Sequence, residues 1–274
     1  MKPRKELGQN FLINVGAARR IVDLLSLHPS ETVLEIGGGR GDLTVHLLAT
    51  GARVITVEYD QNLVARLRER FADQSRLEIV HGDILRFDPA AVLGSECAAK
   101  LVGNLPYNIT SAILEWIIER RRMFPELVIM VQKEVAARIV AEPGGKNFGS
   151  LTVFVQLFYA ATRAFDLRPG SFFPAPKVSS SVVHLTRREQ PLVSDADFPA
   201  LRRLTAACFR WRRKQLLRIL REEYQLTLEI ADHLCRRVGV EPTQRPEQLA
   251  VTDFVVLAKD LSCLASNSSS SPLS

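Results

Sequence analysis

From Thr32 onward, short β-branched apolar runs alternate with longer stretches whose apolar residues recur every three or four positions. The runs TVLEIGG, RVITVE, LEIV, KLVGN and LVIMVQ predict strands, each apolar enough to be buried on both faces. Between them, Leu43–Ala49, Asn62–Ala72 and Thr110–Arg120 predict helices. Such alternation predicts an α/β architecture with an open, doubly wound and mostly parallel sheet. The segment FGSLTVFVQLFYA suits a buried helix by length and a strand by its Val and Phe content. ATRAFDLR and SSVVHLTRR predict two further strands, a terminal antiparallel pair.

Past Arg188 the pattern changes. REQPLVSDADFP reads as a linker, and apolar residues at helical spacing follow, with Gly239 and Pro242 as helix stops. The predicted organisation is an α/β domain over residues 1–190, a small all-helical domain over 191–264, and a low-complexity disordered tail over 265–274.

Composition narrows the class. The 274 residues are 46% hydrophobic, which suits a globular core. The net charge of +6 points to a polyanionic partner, nucleic acid before membrane. No apolar run approaches the ~20 residues of a membrane span, and the N-terminus lacks the apolar segment of a signal peptide. A cytoplasmic protein is expected. Cys97, Cys208, Cys235 and Cys263 are scattered and lack zinc-like spacing, so no metal site is expected.

The first strand ends in Gly37, Gly39 and Gly41, a G-x-G-x-G turn before a helix. Such a turn lets a ligand approach the backbone and serves several adenosyl cofactors. Glu58 ends the second strand, where a carboxylate meets a ribose diol. Asp83 ends the third, placed either to accept from an adenine amine or to cap the next helix. These residues leave NAD and S-adenosylmethionine (SAM) both open.

The fourth strand separates them. It ends in Asn104-Leu105-Pro106-Tyr107, and proline stops a sheet ladder. The N6 amine of adenine is a poor nucleophile because its lone pair is delocalised into the ring. The Asn104 side-chain oxygen and the Leu105 carbonyl are placed to accept its two hydrogens, with Pro106 fixing the backbone that aims them. Tyr107 is placed to stack on the extruded base. Phe172 or Phe173, in GSFFPAPKVSSS, would form the opposite wall, and Phe173, beside the proline, is preferred.

With these residues in view, the chain resembles the KsgA-type ribosomal RNA adenine dimethyltransferases. The motifs are LGQNFL, EIGGGRGDLT, VEYD, GDIL, NLPYNITS, MVQKEVAARIVAEPGGKNFG, FFPAPKVSSSVV and FRWRRKQLLRIL, spread from Leu7 to Leu220. The resemblance implies a Rossmann-like, SAM-dependent methyltransferase sheet. It implies dimethylation at N6 of two adjacent adenosines near the 3′ end of 16S small-subunit rRNA during ribosome biogenesis. It also implies cofactor contacts at Asn10, Leu12, Gly37, Glu58, Asp83 and Asn104; Gly39 belongs to the same glycine turn. A monomer acting on a pre-30S particle is expected. Gly38 stands where the family commonly has proline, a change expected to loosen the cofactor loop; Ala175, Ser179 and Ile219 also depart from the family pattern.

No acidic residue falls between Phe198 and Arg221, while Arg210, Arg212, Arg213 and Lys214 crowd around Trp211. This run predicts an RNA phosphate-binding surface. Three other readings stay open: a sibling enzyme acting on large-subunit rRNA, a nucleic-acid-binding protein without catalysis, and a nicotinamide-dependent oxidoreductase.

Overall fold

The computed structural model describes residues 8–94 and 97–268. Its nine strands are β1 (Phe11–Leu12), β2 (Thr32–Ile36), β3 (Arg53–Glu58), β4 (Leu77–His81), β5 (Lys100–Asn104), β6 (Glu126–Gln132), β7 (Tyr159–Leu167), β8 (Phe172–Phe173) and β9 (Ser180–Arg187). Seven of them form one sheet in the order β4-β3-β2-β5-β6-β9-β7. β2 to β6 pair in parallel, and β9 runs antiparallel to β6. The two remaining strands, β1 and β8, form a separate antiparallel ribbon.

The helices that cross between parallel strands are α2 (Thr44–Ala49), α3 (Gln61–Arg70), α4 (Ala90–Leu93) and α5 (Thr110–Glu119), preceded by α1 (Val15–Leu24). Local chemistry sets their starts. The Asn14 side chain accepts from the Ala17 N–H at 3.0 Å and caps α1. Asp60 does the same for α3 through the Asn62 N–H. One core face joins Ala18, Ile21 and Leu25 of the first helical segment to Val33, Val54, Val102 and Val128 of the sheet. On α5, Ile113, Leu114, Trp116 and Ile117 are buried. β2, β3, β5 and β6 are buried on both faces, as their apolar runs predict. β4 is not, because it lies at the sheet's edge and its residues are only partly covered.

The chain forms two compact units, one holding the residues up to Ala137 with Ala160–Arg187, the other Arg138–Tyr159 with the residues from Arg188. This division differs from the expected 1–190 and 191–264 in the segment 138–159 and in the boundary, which falls at 188 rather than 191. The segment with mixed helix and strand character resolves into both: α7 (Ser150–Gln156), preceded by α6 (Lys133–Ile139), then the start of β7. Phe154 and Phe158 meet Phe198 edge-on, with ring centroids at 6.2 and 5.2 Å, and so tie the segment to α8 (Phe198–Arg210). The second unit continues with α9 (Leu216–Tyr224), α10 (Leu228–Val238) and α11 (Val251–Ser268). α11 enters the region expected to be a tail; residues 269–274 lie outside the described residues. Among the described residues, no helix is long and apolar enough to cross a membrane.

Candidate active site

Strand order reverses between β2 and β5, and ligands of open α/β sheets bind at the carboxyl ends beside such a reversal. A cavity of about 320 Å³ lies there. It is lined by Asn10, Leu12, Gly37, Gly39, Glu58, Asp83, Asn104, Leu105, Pro106 and Tyr107, so residues from five separate sequence motifs meet in one place.

β2 and β5 approach closely just below the site. A Cβ on Gly103 would lie 2.9 Å from the Ile36 carbonyl oxygen, so only glycine fits between Val102 and Asn104. The last ladder bond runs from the Leu105 N–H to the Met130 carbonyl at 3.0 Å. Pro106 then ends the pairing for want of an N–H. Its carbonyl accepts from the Thr110 hydroxyl at 2.9 Å and from the Ile109 N–H at 3.2 Å, which fixes the turn into α5.

Asn104 holds the site's most exacting group. Its Nδ2 donates to the Asn10 carbonyl at 2.6 Å. A carbonyl only accepts, so this contact orients the amide. The Oδ1 atom is left buried with no hydrogen-bond partner. Burying an unpaired acceptor costs roughly 1–3 kcal/mol, a cost that an incoming N–H removes.

The glycine turn and Glu58 are built as a pair. Gly37 and Gly39 adopt φ of 75° and 56°, values that favour glycine. The Gly39 N–H donates to Glu58 Oε2 and the Asp60 N–H to Glu58 Oε1, each at 2.9 Å. Burial raises the Glu58 carboxyl above its ordinary range, while these N–H groups pull it back toward the charged form. A carboxylate oxygen has a second lone pair, so both remain able to accept from a diol. Asp83 lines the cavity, and its Oδ1 accepts from the Leu85 N–H at 3.0 Å; it caps a turn over residues 84–86 rather than a helix, since the next helix starts at Ala90.

Three features had no counterpart in the sequence reading. Glu35 is 1% exposed and lines the cavity; its Oε2 accepts from the Thr44 and Thr56 hydroxyls at 2.7 and 2.5 Å. Burial pushes this carboxyl up to about 7, against the two hydroxyls. An acid inside an apolar strand is the signal that marks it. The way the N-terminal arm is anchored, beyond the expected contacts of Asn10 and Leu12, is the second. β1 pairs Phe11 with Phe173 and Leu12 with Phe172, the Gln9 amide donates to Asp60 at 3.2 Å, and the Phe11 ring lies against Gly39. Asn10 therefore serves the site with its backbone carbonyl, while its side chain donates to the Gly8 carbonyl at 3.1 Å. The third is Ser180, within 2.6 Å of the Tyr107 hydroxyl.

The two phenylalanines differ in burial. Phe172 is 2% exposed and belongs to the core, whereas Phe173 is 52% exposed. Phe173 is not among the cavity's lining residues; it stands beside Phe11 in the β1–β8 ribbon. Gly38 is buried and closely packed. The space that a side chain would take is filled by Thr56, whose Cγ2 would lie 2.3 Å from an added Cβ.

The four basic residues expected to meet RNA lie in the second unit, at the turn between α8 and α9. The acidic residues just past the run fold back onto it. Arg210 pairs with Glu223 and Lys214 with Glu222, both at 2.5 Å, and the Arg212 guanidinium donates to the Lys146 carbonyl at 2.6 Å. Lys214 also covers the Trp211 ring, 3.9 Å from its centroid. Arg213 is exposed.

Comparison with known proteins supplies the rest. The family model for ribosomal RNA adenine dimethylase matches residues 1–261. Ribosomal RNA small subunit methyltransferase A of Geobacter metallireducens is 40% identical over 96% of this chain and 97% of its own length. The protein of the same name from Pseudomonas aeruginosa is 38% identical over 97% of both. Among solved structures, a dimethyladenosine transferase from Plasmodium falciparum superposes with a TM-score of 0.81 at 26% identity, covering 93% of this chain and 98% of that one. The 23S rRNA methyltransferase ErmE gives 0.74 at 26% identity, covering 92% and 100%. With a family model matched over nearly its whole length and relatives of this identity aligned end to end, the chain belongs to the ribosomal RNA adenine dimethylase family.

Proposed function

We propose that this chain is a SAM-dependent rRNA adenine N6,N6-dimethyltransferase that modifies two adjacent adenosines near the 3′ end of small-subunit rRNA, acting as a monomer on a pre-30S particle in the cytoplasm. The observation that carries the chemistry is the buried, unpartnered Oδ1 of Asn104 at the end of β5. The relatives named as small-subunit methyltransferases support the choice of RNA.

The residues present fit the cofactor. The Gly37–Gly39 backbone gives close approach, Glu58 offers two acceptor oxygens to a diol, and Asp83 keeps a free carboxylate oxygen for an amine. When bound, SAM supplies an electrophilic sulfonium methyl group. The protein then has to present a nucleophile. Asn104 Oδ1 and the Leu105 carbonyl accept the amine hydrogens of the target adenine, which favours a pyramidal nitrogen with its lone pair freed from the ring. Tyr107 and Phe173 take the base between them, at roughly 1–3 kcal/mol per aromatic contact. No strong base is required, since positioning and exclusion of water carry such a transfer. For the second transfer the amine has one hydrogen, and one acceptor of the pair suffices.

Asn104→Ala tests this directly. SAM affinity, measured by calorimetry, falls only moderately, while methyl transfer drops by a factor of roughly 100 or more, the scale seen when one aimed polar group is removed. Wild-type turnover in this variant would contradict the assignment.

A further inference from the structure

Tyr107 sits in the short non-helical turn between β5 and α5, where a ring on a turn has freedom that a base-stacking wall cannot use. Its hydroxyl lies 2.6 Å from the hydroxyl of Ser180. Ser180 is completely buried and opens β9, where it stands opposite Gln132 of β6. The neighbouring Ser179 carbonyl accepts from the Lys133 N–H at 3.0 Å, so the backbone at this point is held by the sheet. Burial raises the Tyr107 phenol above its ordinary range, and Ser180 is the hydrogen-bond partner it finds there.

The same chain segment carries the other wall. Phe173 ends β8, and the strand that begins at Ser180 follows after Pro174 and Pro176. Phe172–Ser180 therefore presents one aromatic ring and holds the second.

We propose that Ser180 is a positioning residue for methyl transfer: its hydroxyl pins the Tyr107 ring to the sheet and so sets where the target base stacks. A hydrogen bond at the phenol oxygen lies on the ring's own axis. It leaves ring flips free and restrains the χ1 rotation that would swing the ring out of the slot. The effect belongs to turnover and base placement, with no part in holding the cofactor. The inference rests on the reading of Asn104–Tyr107 as the base slot.

The test pairs Ser180→Ala with Tyr107→Phe, since either removes one hydroxyl of the contact. Both variants should bind SAM within about twofold of wild type, while kcat falls roughly tenfold to hundredfold, the scale of a small misplacement near the reacting atoms. The double variant should lose no more than the single ones, because both remove one interaction. An RNA substrate carrying 2-aminopurine at the target position should show weaker stacking quench with either variant. Full turnover in Tyr107→Phe, or losses that multiply in the double variant, would overturn the proposal, even if Ser180→Ala failed to fold. Absence of methyl transfer by the wild-type protein would instead overturn the reading of the slot itself, and the positioning role with it.

Discussion

Gly38 and Thr56 compete for one space. The threonine methyl occupies the volume beside the glycine, and its hydroxyl donates to buried Glu35. A side chain at position 38 would meet Cγ2 of Thr56 at 2.3 Å and Cδ1 of Leu67 at 3.0 Å. Leu67 can turn aside, whereas the β-branched Thr56 on a central strand cannot. Gly38→Ala is therefore expected to lower the unfolding free energy by about 1–3 kcal/mol, the usual cost of overpacking. Adding Thr56→Ser removes the methyl, keeps the hydroxyl on Glu35 and recovers most of that loss. Urea unfolding of the two variants measures both values. A Gly38→Ala protein as stable as wild type would contradict the packing described. The close packing at Gly38 was not legible in the sequence, because the neighbour that fills the gap lies on the adjacent strand. The same limit hid Ser180: a serine in a serine-rich strand start carries no mark of the tyrosine it meets. Asn104, Glu58 and the glycines were legible because each stands at a strand end, where an α/β sheet binds its ligands.

Among the elements, the parallel strands were easiest to read. Their apolar runs are long enough to be buried on both faces, and the edge strand β4 departs because burial depends on position in the sheet. β1 and β8 were not legible as strands. Each spans two residues, and only their pairing with each other defines them. The basic stretch keeps helical apolar spacing, yet it breaks at Trp211 into α8 and α9, letting Glu222 and Glu223 reach back to Lys214 and Arg210. Such exposed ion pairs are worth roughly 0–1 kcal/mol, so RNA phosphates can displace them. Arg213 stands exposed at the turn, outside these ion pairs among the described residues. Arg213→Glu is expected to weaken binding of small-subunit rRNA and to make the slope of log affinity against log salt shallower by about one. Filter binding over a salt series measures it. An unchanged slope would place the phosphate contacts on other elements.

At the scale of the whole molecule, the chain holds an α/β unit and a helical unit, and the second is assembled from two separate stretches of sequence. That interleaving was hidden in the sequence, because residues 138–159 continue the apolar pattern of the first unit and reveal their allegiance through three-dimensional contacts such as those of Phe154 and Phe158 with Phe198 and of Lys146 with Arg212. The family match spans nearly all of the chain, and Tyr107, the glycine turn and the unpartnered Asn104 oxygen lie together in the first unit. If these parts act as one enzyme, the product is specific in base, position and number of methyl groups. The decisive measurement is transfer of labelled methyl groups from SAM to small-subunit particles that lack the modification, followed by digestion and nucleoside analysis. Dimethyladenosine accumulating toward four methyl groups per particle, two on each of two adenosines, is the predicted result. SAM binding without any methyl incorporation into these particles would contradict it.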